Sequence, residues 1–349
     1  MAAAYPGGAP NTYIPSTEAT NNMIVDFSRA PDDFPVNKYT TIVKVDKSVG
    51  RYCELSVEQR GRVLNTDLKD RMWADGDDAS DGRGQLEAFE FKPYETTRFE
   101  FPFRIGEKAA GEASWDILAS HARIKAQEAM TARTQKHVTL LTTSGNWPSG
   151  HTSAVSAISG VTGKWDVSTT ARTDIKRSLN YAIEQILKAT LSAVDVGDLQ
   201  LVISPELARK ISVSQEIVDY LKSSPDALDW IRGKVGKNSV YGLPDSLYGI
   251  PLVVENTVKV TNKKGATKAT SYVLAATTPF IVSRPGSLNG TGDSSSPRYS
   301  TCCTFMLEEM TVWSKHDQDN RNHKGRVVED YDVRLTAPIS GFLFTAACD

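Results

Sequence analysis

Leu199-Gln-Leu-Val-Ile-Ser-Pro-Glu206 changes character at Ser204. The residues before it are an apolar run of strand length, which predicts a buried strand. Ser204 then offers an oxygen to the free amides of a helix start. Pro205 suits the first helical position, where its missing N–H has no intrahelical partner. Further on, Leu247-Tyr-Gly-Ile-Pro-Leu-Val-Val-Glu-Asn256 turns into a second strand. A strand feeding a capped helix, then another apolar strand, predicts a compact α/β unit.

The surroundings extend that unit over 168–283. On its N-terminal side Ser168, Thr169 or Thr170 is placed to cap a helix with Asp174 in its first turn. Ile175, Leu179, Ile183, Ile186, Leu187, Leu191 and Val194 give that helix an apolar face, and Gly197 is the expected stop. Short helices are expected over 216–221 and 225–231. Lys263-Lys-Gly265 reads as a hairpin turn, with a return strand over 270–276. Beyond a Gly/Ser/Asn loop at 287–296 the chain reads as β: 302–313, a polar bend at 314–324, then 326–337 and 339–344.

Toward the N-terminus, 147–163 is rich in small residues and reads as a linker between domains. Alanine-rich 106–135 predicts a long helix with a narrow face of Trp115, Leu118, Ala122, Ala126 and Ala129. Phe89, Phe91, Phe99, Phe101, Phe103 and Ile105 alternate with polar residues, so strands with one buried face are expected. Before them lies Asp75-Gly-Asp-Asp-Ala-Ser-Asp-Gly-Arg-Gly84, an acidic stretch expected at an exposed tip. Together 50–105 read as a two-stranded excursion. Such a hairpin is marginal alone, and the same chain offers it no obvious partner. Residues 39–45 are β-branched and strand-like, and 1–22 are small and polar.

Bulk properties exclude several classes. The chain has 349 residues, a net charge of −2 and a sequence pI near 6.3. That balance gives no pull toward nucleic acid or an anionic membrane. No apolar run is long enough to span a bilayer. Met1-Ala-Ala-Ala-Tyr-Pro-Gly-Gly8 lacks the basic and apolar regions of a signal peptide, and the cysteine pattern makes a reducing cytoplasm the expected setting. Cys53, Cys302, Cys303 and Cys348 are expected as free, buried thiols; neighbouring Cys302 and Cys303 point to opposite faces of a strand.

No catalytic constellation assembles. Gly160-Val-Thr-Gly-Lys164 lacks the spacing of a phosphate loop, with Trp165 where a magnesium-binding hydroxyl belongs. His316 and His323 share a polar stretch with Asp317 and Asp319, which fits a solvated turn better than a metal site. In a calcium-loop register from Asp75, Ser80 takes the glycine position and Leu86 the glutamate position. No cofactor is implied.

The order of parts, with the strand–Ser-Pro-Glu–helix pattern at 199–206 and Tyr-Gly-Ile-Pro-Leu-Val at 248–253, resembles the major capsid proteins of tailed double-stranded DNA phages. Their Hong Kong 97-type fold also serves encapsulins and herpesvirus shell floors. The resemblance implies an α+β chain: N-terminal arm (1–48), extended β-hairpin loop (49–105), peripheral domain with spine helix (106–164), axial α/β domain (165–298) and return strands of the peripheral domain (299–349). It implies a virion shell of hexamers and pentamers, assembled in the host cytoplasm around DNA held without sequence preference. Separate scaffolding, portal and decoration proteins are implied partners, with no membrane. Phe89, Phe91, Phe99, Phe101 and Tyr94 are the implied inter-subunit contacts. In one branch of the family a loop lysine joins a neighbour's asparagine. Lys69 or Lys92 with Asn320 or Asn322 would be the counterparts. An encapsulin-like compartment around a cargo enzyme is the alternative within the fold, and a small α/β enzyme domain at 168–283 the alternative outside it.

Overall fold

A computed structural model describes residues 28–55, 75, 89–113, 116–167, 173–223, 240–262, 265–285 and 299–349. Its strands are β1 (Thr41–Lys44), β2 (Val49–Leu55), β3 (Phe89–Glu95), β4 (Thr97–Gly106), β5 (Thr152–Ala154), β6 (Leu199–Ile203) and β7 (Ser246–Leu247). They continue with β8 (Ile250–Val254), β9 (Val258–Val260), β10 (Thr270–Tyr272), β11 (Phe280–Ser283), β12 (Cys302–Asp317), β13 (Asn322–Leu335) and β14 (Phe342–Thr345). The helices are α1 (Val36–Tyr39), α2 (Glu107–Glu112), α3 (Ile117–Thr142), α4 (Asp174–Ala189), α5 (Pro205–Ser212) and α6 (Gln215–Ser223).

One sheet has the order β5-β14-β11-β6-β8-β7, with β6 and β8 parallel. Its central strands are apolar and buried on both faces, as a sheet covered on both sides requires. Ile175, Leu179, Ala182 and Ile186 of α4 cover one face. Phe34 and Tyr39 from the chain's start, with Met130, Val138 and Leu141 of α3, cover the other. The Ser204 hydroxyl accepts from the Leu207 amide at 3.2 Å, with Pro205 opening α5, as its sequence implies.

A second sheet has the order β1-β12-β13-β4, with α3 packed on it. β2 and β3 form a separate antiparallel ribbon, as do β9 and β10. The polar bend shrinks to the residues between β12 and β13, because both strands stay paired as far as Asp317 and Asn322.

Several expectations need correction. The long helix spans 117–142, not 106–135. Residues 107–112 form a separate helix, and the Asp116 carboxylate caps the long one by accepting from the Ala119 amide at 3.0 Å. Residues 147–163 are not a linker. Trp147, Val155, Ile158 and Val161 are buried there, and β5 pairs with β14. α4 ends at Ala189, because Leu191 and Ser192 turn left-handed well before Gly197. Tyr39 closes a helical turn and does not begin a strand. β4 leaves the hairpin and joins β13, so the extended excursion ends near Glu95. Residues 1–27, Lys69, the acidic stretch beyond Asp75, Trp115, the 168–170 cap, the 225–231 helix, Lys263-Lys264 and the 287–296 loop fall outside the described residues.

Candidate assembly surfaces

The β2–β3 ribbon has two unlike faces. In its register Gly50 faces Tyr94 and Tyr52 faces Lys92, while Cys53 faces Phe91 and Val49 faces Glu95. Tyr52 and Tyr94 both stack on Phe305 of β12, at centroid distances of 5.4 and 4.6 Å. Gly50 makes this possible, since a Cβ there would overlap the Tyr94 ring. The hairpin therefore does have a partner in its own chain, contrary to expectation. Its outer face is bare: Val49 is 61% and Phe91 58% exposed, and Cys53, opposite Phe91, is exposed too. Cys53 thus departs from the expected buried state. Cys302, Cys303 and Cys348 are buried and free, the first two on opposite faces of β12.

Of the implied contact residues whose side chains are described, Phe91 is the one turned outward. Tyr94 is half-buried on Phe305. Phe99 packs on Tyr331 at 5.0 Å under the Lys136 ammonium, and Phe101 is half-buried in β4. Phe89 pairs with Leu55 through its backbone, and its side chain is outside the described set. Lys92 lies on the half-buried face of the hairpin. Asn320 and Asn322 sit at the far end of β12–β13, where the Asn320 amide donates to Asp317 at 2.8 Å and buried Asn322 donates to the Asn320 carbonyl at 3.3 Å. One chain does not bring Lys92 and these asparagines together.

Buried polar ties hold the surfaces in place. Glu255 follows β8 and accepts from the Tyr39 hydroxyl at 2.9 Å, the Thr257 amide at 3.1 Å and the Thr257 hydroxyl at 2.5 Å. Burial raises the Glu255 pKa against those hydrogen bonds, and burial with Glu255 raises that of Tyr39. Arg133 of α3 pairs with Glu329 of β13 at 3.2 Å, Glu329 being 0% exposed. Burial raises the Glu329 pKa and Arg133 opposes it. His137 sits between Thr304 and Cys302, at 2.9 and 3.3 Å, with its pKa lowered to about 3, chiefly by burial and then by Arg133 and Lys136. Sequence reading did not single out Arg133, Glu255 or Glu329. A charged residue on an apolar face was the available signal.

The other candidates resolve simply. Lys164 pairs with Asp349, and Thr162 donates its amide to Asp174, so the glycine turn serves packing. His316 and His323 lie side by side across β12–β13, at 4.8 Å. Among the described residues no group of three or more His, Cys, Asp or Glu is placed to hold a metal, and no helix is long and apolar enough to cross a membrane.

The same arrangement of sheets and helix recurs in solved structures. A phage-related protein from Bordetella bronchiseptica superposes with a TM-score of 0.60 at 12% identity, covering 90% of this chain and 93% of that one. The mature capsid of bacteriophage PhiM1 gives 0.54 at 12% identity, covering 93% and 90%. The chain has the Hong Kong 97-like capsid fold. The capsid of cyanophage P-SCSP1u, at 0.54 and 11% identity, matches over 98% of this chain and 96% of that one. No protein-family model and no curated protein matches the chain.

Proposed function

We propose that this chain is a major capsid protein, assembling as hexamers and pentamers of an icosahedral shell around phage double-stranded DNA. The observation that carries it is the capsid fold over nine-tenths or more of both chains in each of these comparisons. The bare outer face of the extended-loop stem supports it. An exposed Phe91, opposite Cys53, gains by burial, roughly 1.5–3 kcal/mol for a large apolar side chain, and a second copy supplies the cover. Small gains of this kind, repeated around closed symmetry, hold a shell together.

On this reading the arm ends near residue 48, the extended loop spans 49–95, and β4 with α2, α3, β12 and β13 forms the peripheral domain. The axial domain draws β5 and β14 into its sheet from outside 165–298. Negative-stain electron microscopy and sedimentation of the recombinant chain, with and without a scaffolding partner, test the proposal. Closed shells or rings of five and six are expected. A monomer under all conditions overturns it.

A further inference from the structure

His316 and His323 are directly opposed across β12–β13, so both rings stand on one face of the four-stranded sheet. Their centroids are 4.8 Å apart and the rings are tilted by 51°. Ile105 of β4 is the next partner of His323, and it clusters with Ala109, Ile117 and Leu118. This is therefore the face that α2 and the start of α3 cover. The chain leaves β4 at Gly106 and enters α2 at Glu107, whose amide donates to the Arg321 carbonyl at 3.0 Å. That bond holds the first turn of α2 beside the histidines, and the Glu107 carboxylate comes to 4.0 Å from His316 Nε2.

The other buried histidines are occupied. His137 bonds Thr304 and Cys302, and His151 bonds the Gly341 carbonyl at 2.8 Å, so both rings serve packing. The rings of His316 and His323 make no hydrogen bond to the described residues. At 4.0 Å Glu107 is too far for one. The distance is nearer to the spacing of two donors on one ion, roughly 3.4 Å for tetrahedral zinc with bonds of about 2.0–2.1 Å. Lys315, Lys324 and Arg104 alternate to the opposite face of the sheet. As placed, the three donors do not close on one point. The Glu107 side chain is 52% and that of His316 37% exposed, so both can turn without disturbing a core. The backbone that carries them is fixed by strand register and by the Glu107 amide.

We propose that His316, His323 and Glu107 form a binding site for a divalent transition-metal ion of the zinc class, joining β12, β13 and the first turn of α2. Two imidazoles and a carboxylate suit zinc or copper, whereas calcium and magnesium take oxygen ligands. Three protein donors leave a fourth position for water. In sequence the histidines read as part of a solvated turn, because nothing there brings Glu107 to their side. The site is independent of whether the chain builds a shell.

Metal-free full-length chain is titrated with ZnCl₂ in a calorimeter, and with substoichiometric CuCl₂ for electron paramagnetic resonance. Binding of one Zn²⁺ per chain at micromolar concentration is expected, with Cu²⁺ showing superhyperfine splitting from two imidazole nitrogens. His316→Ala and His323→Ala are each expected to weaken Zn²⁺ binding by about tenfold or more, at least the loss that removing a ligand's supporting partner causes. Glu107→Gln is expected to weaken it by less, and His121→Ala and Cys53→Ser to leave it unchanged. Where an alanine variant melts below wild type without metal, His316→Gln or His323→Gln takes its place. No binding in the micromolar range, affinity indifferent to either histidine or to Glu107, or a copper spectrum with fewer than two nitrogens overturns the site. Loss of binding on Cys53→Ser assigns the ion to the exposed thiol and overturns it equally.

Discussion

Arg133 and Glu329 form a buried pair whose weight comes from the cost of breaking it. Glu329 is fully buried, and its second oxygen has no partner among the described residues. Arg133→Met therefore leaves a carboxylate buried and unpaired, at an expected 3–5 kcal/mol. Arg133→Met with Glu329→Met is expected to recover most of that loss, since an apolar pair of similar volume is often neutral. Urea denaturation of both variants decides it; equal losses in single and double variants refute the account. His137 gives a pH signature. Its pKa falls from the usual imidazole range to about 3, so the folded state binds fewer protons than the unfolded state in between. Its contribution is fully present above about pH 6.5 and is lost as pH falls toward 3, at about 1.4 kcal/mol per unit. Glu255 and Glu329, with raised pKa values, act in the opposite sense: their contribution is present at low pH and lost as pH rises from the ordinary carboxylate range. The difference between wild type and His137→Gln isolates the histidine. The variant is expected to lose less stability between pH 6.5 and 4.5, and parallel curves would refute it.

At the scale of elements, local patterns were legible where one short segment decides its own state. β6, with Ser204 and Pro205 opening α5, follows from sequence because strand burial and helix capping are settled within a few residues. The alternation at Phe99, Phe101, Phe103 and Ile105 announced a strand, but not its neighbour. Period two fixes a face and is silent on whether β3 or β13 provides the pairing. The 147–163 stretch misled for a related reason. Its small residues suggest a linker, while a sheet assembled from distant segments makes room for β5. The outward face of Phe91 and the buried Arg133–Glu329 and Tyr39–Glu255 pairs were likewise hidden, because each depends on partners far apart in the chain. Gly325 shows the same dependence and yields a test. The Phe103 ring lies over it, and an added Cβ would overlap that ring. Gly325→Ala is expected to cost about 1–3 kcal/mol by overpacking, with Phe103→Leu restoring part of it. A thermal melt of Gly325→Ala indistinguishable from wild type would show that the ring is free to move.

At the scale of the whole molecule, the two faces of one hairpin differ, one packed on Phe305 and one exposed, and substitution separates them. Phe305 is buried beneath Tyr52 and Tyr94, so Phe305→Ala removes stacking inside the chain and is expected to cost about 3–5 kcal/mol. Phe91, on the far face, is 58% exposed. Phe91→Ser is expected to leave the melting temperature of the unassembled chain within about 2 °C, because exposed positions away from packing change stability by less than about 0.5 kcal/mol. On the proposed capsid reading the same change removes from every copy a ring buried between subunits. Contacts multiplied over a closed lattice amplify a loss of roughly 1.5–3 kcal/mol per subunit, so shells are expected to form at much higher protein concentration or not at all. Light scattering against concentration, run beside thermal melts, separates the two faces. Phe305→Ala lowers both readouts, whereas Phe91→Ser lowers assembly alone. If Phe91→Ser assembles at the wild-type threshold, the outer face of the hairpin is solvent-facing in the shell, and the inter-subunit contacts must be sought on the peripheral sheet.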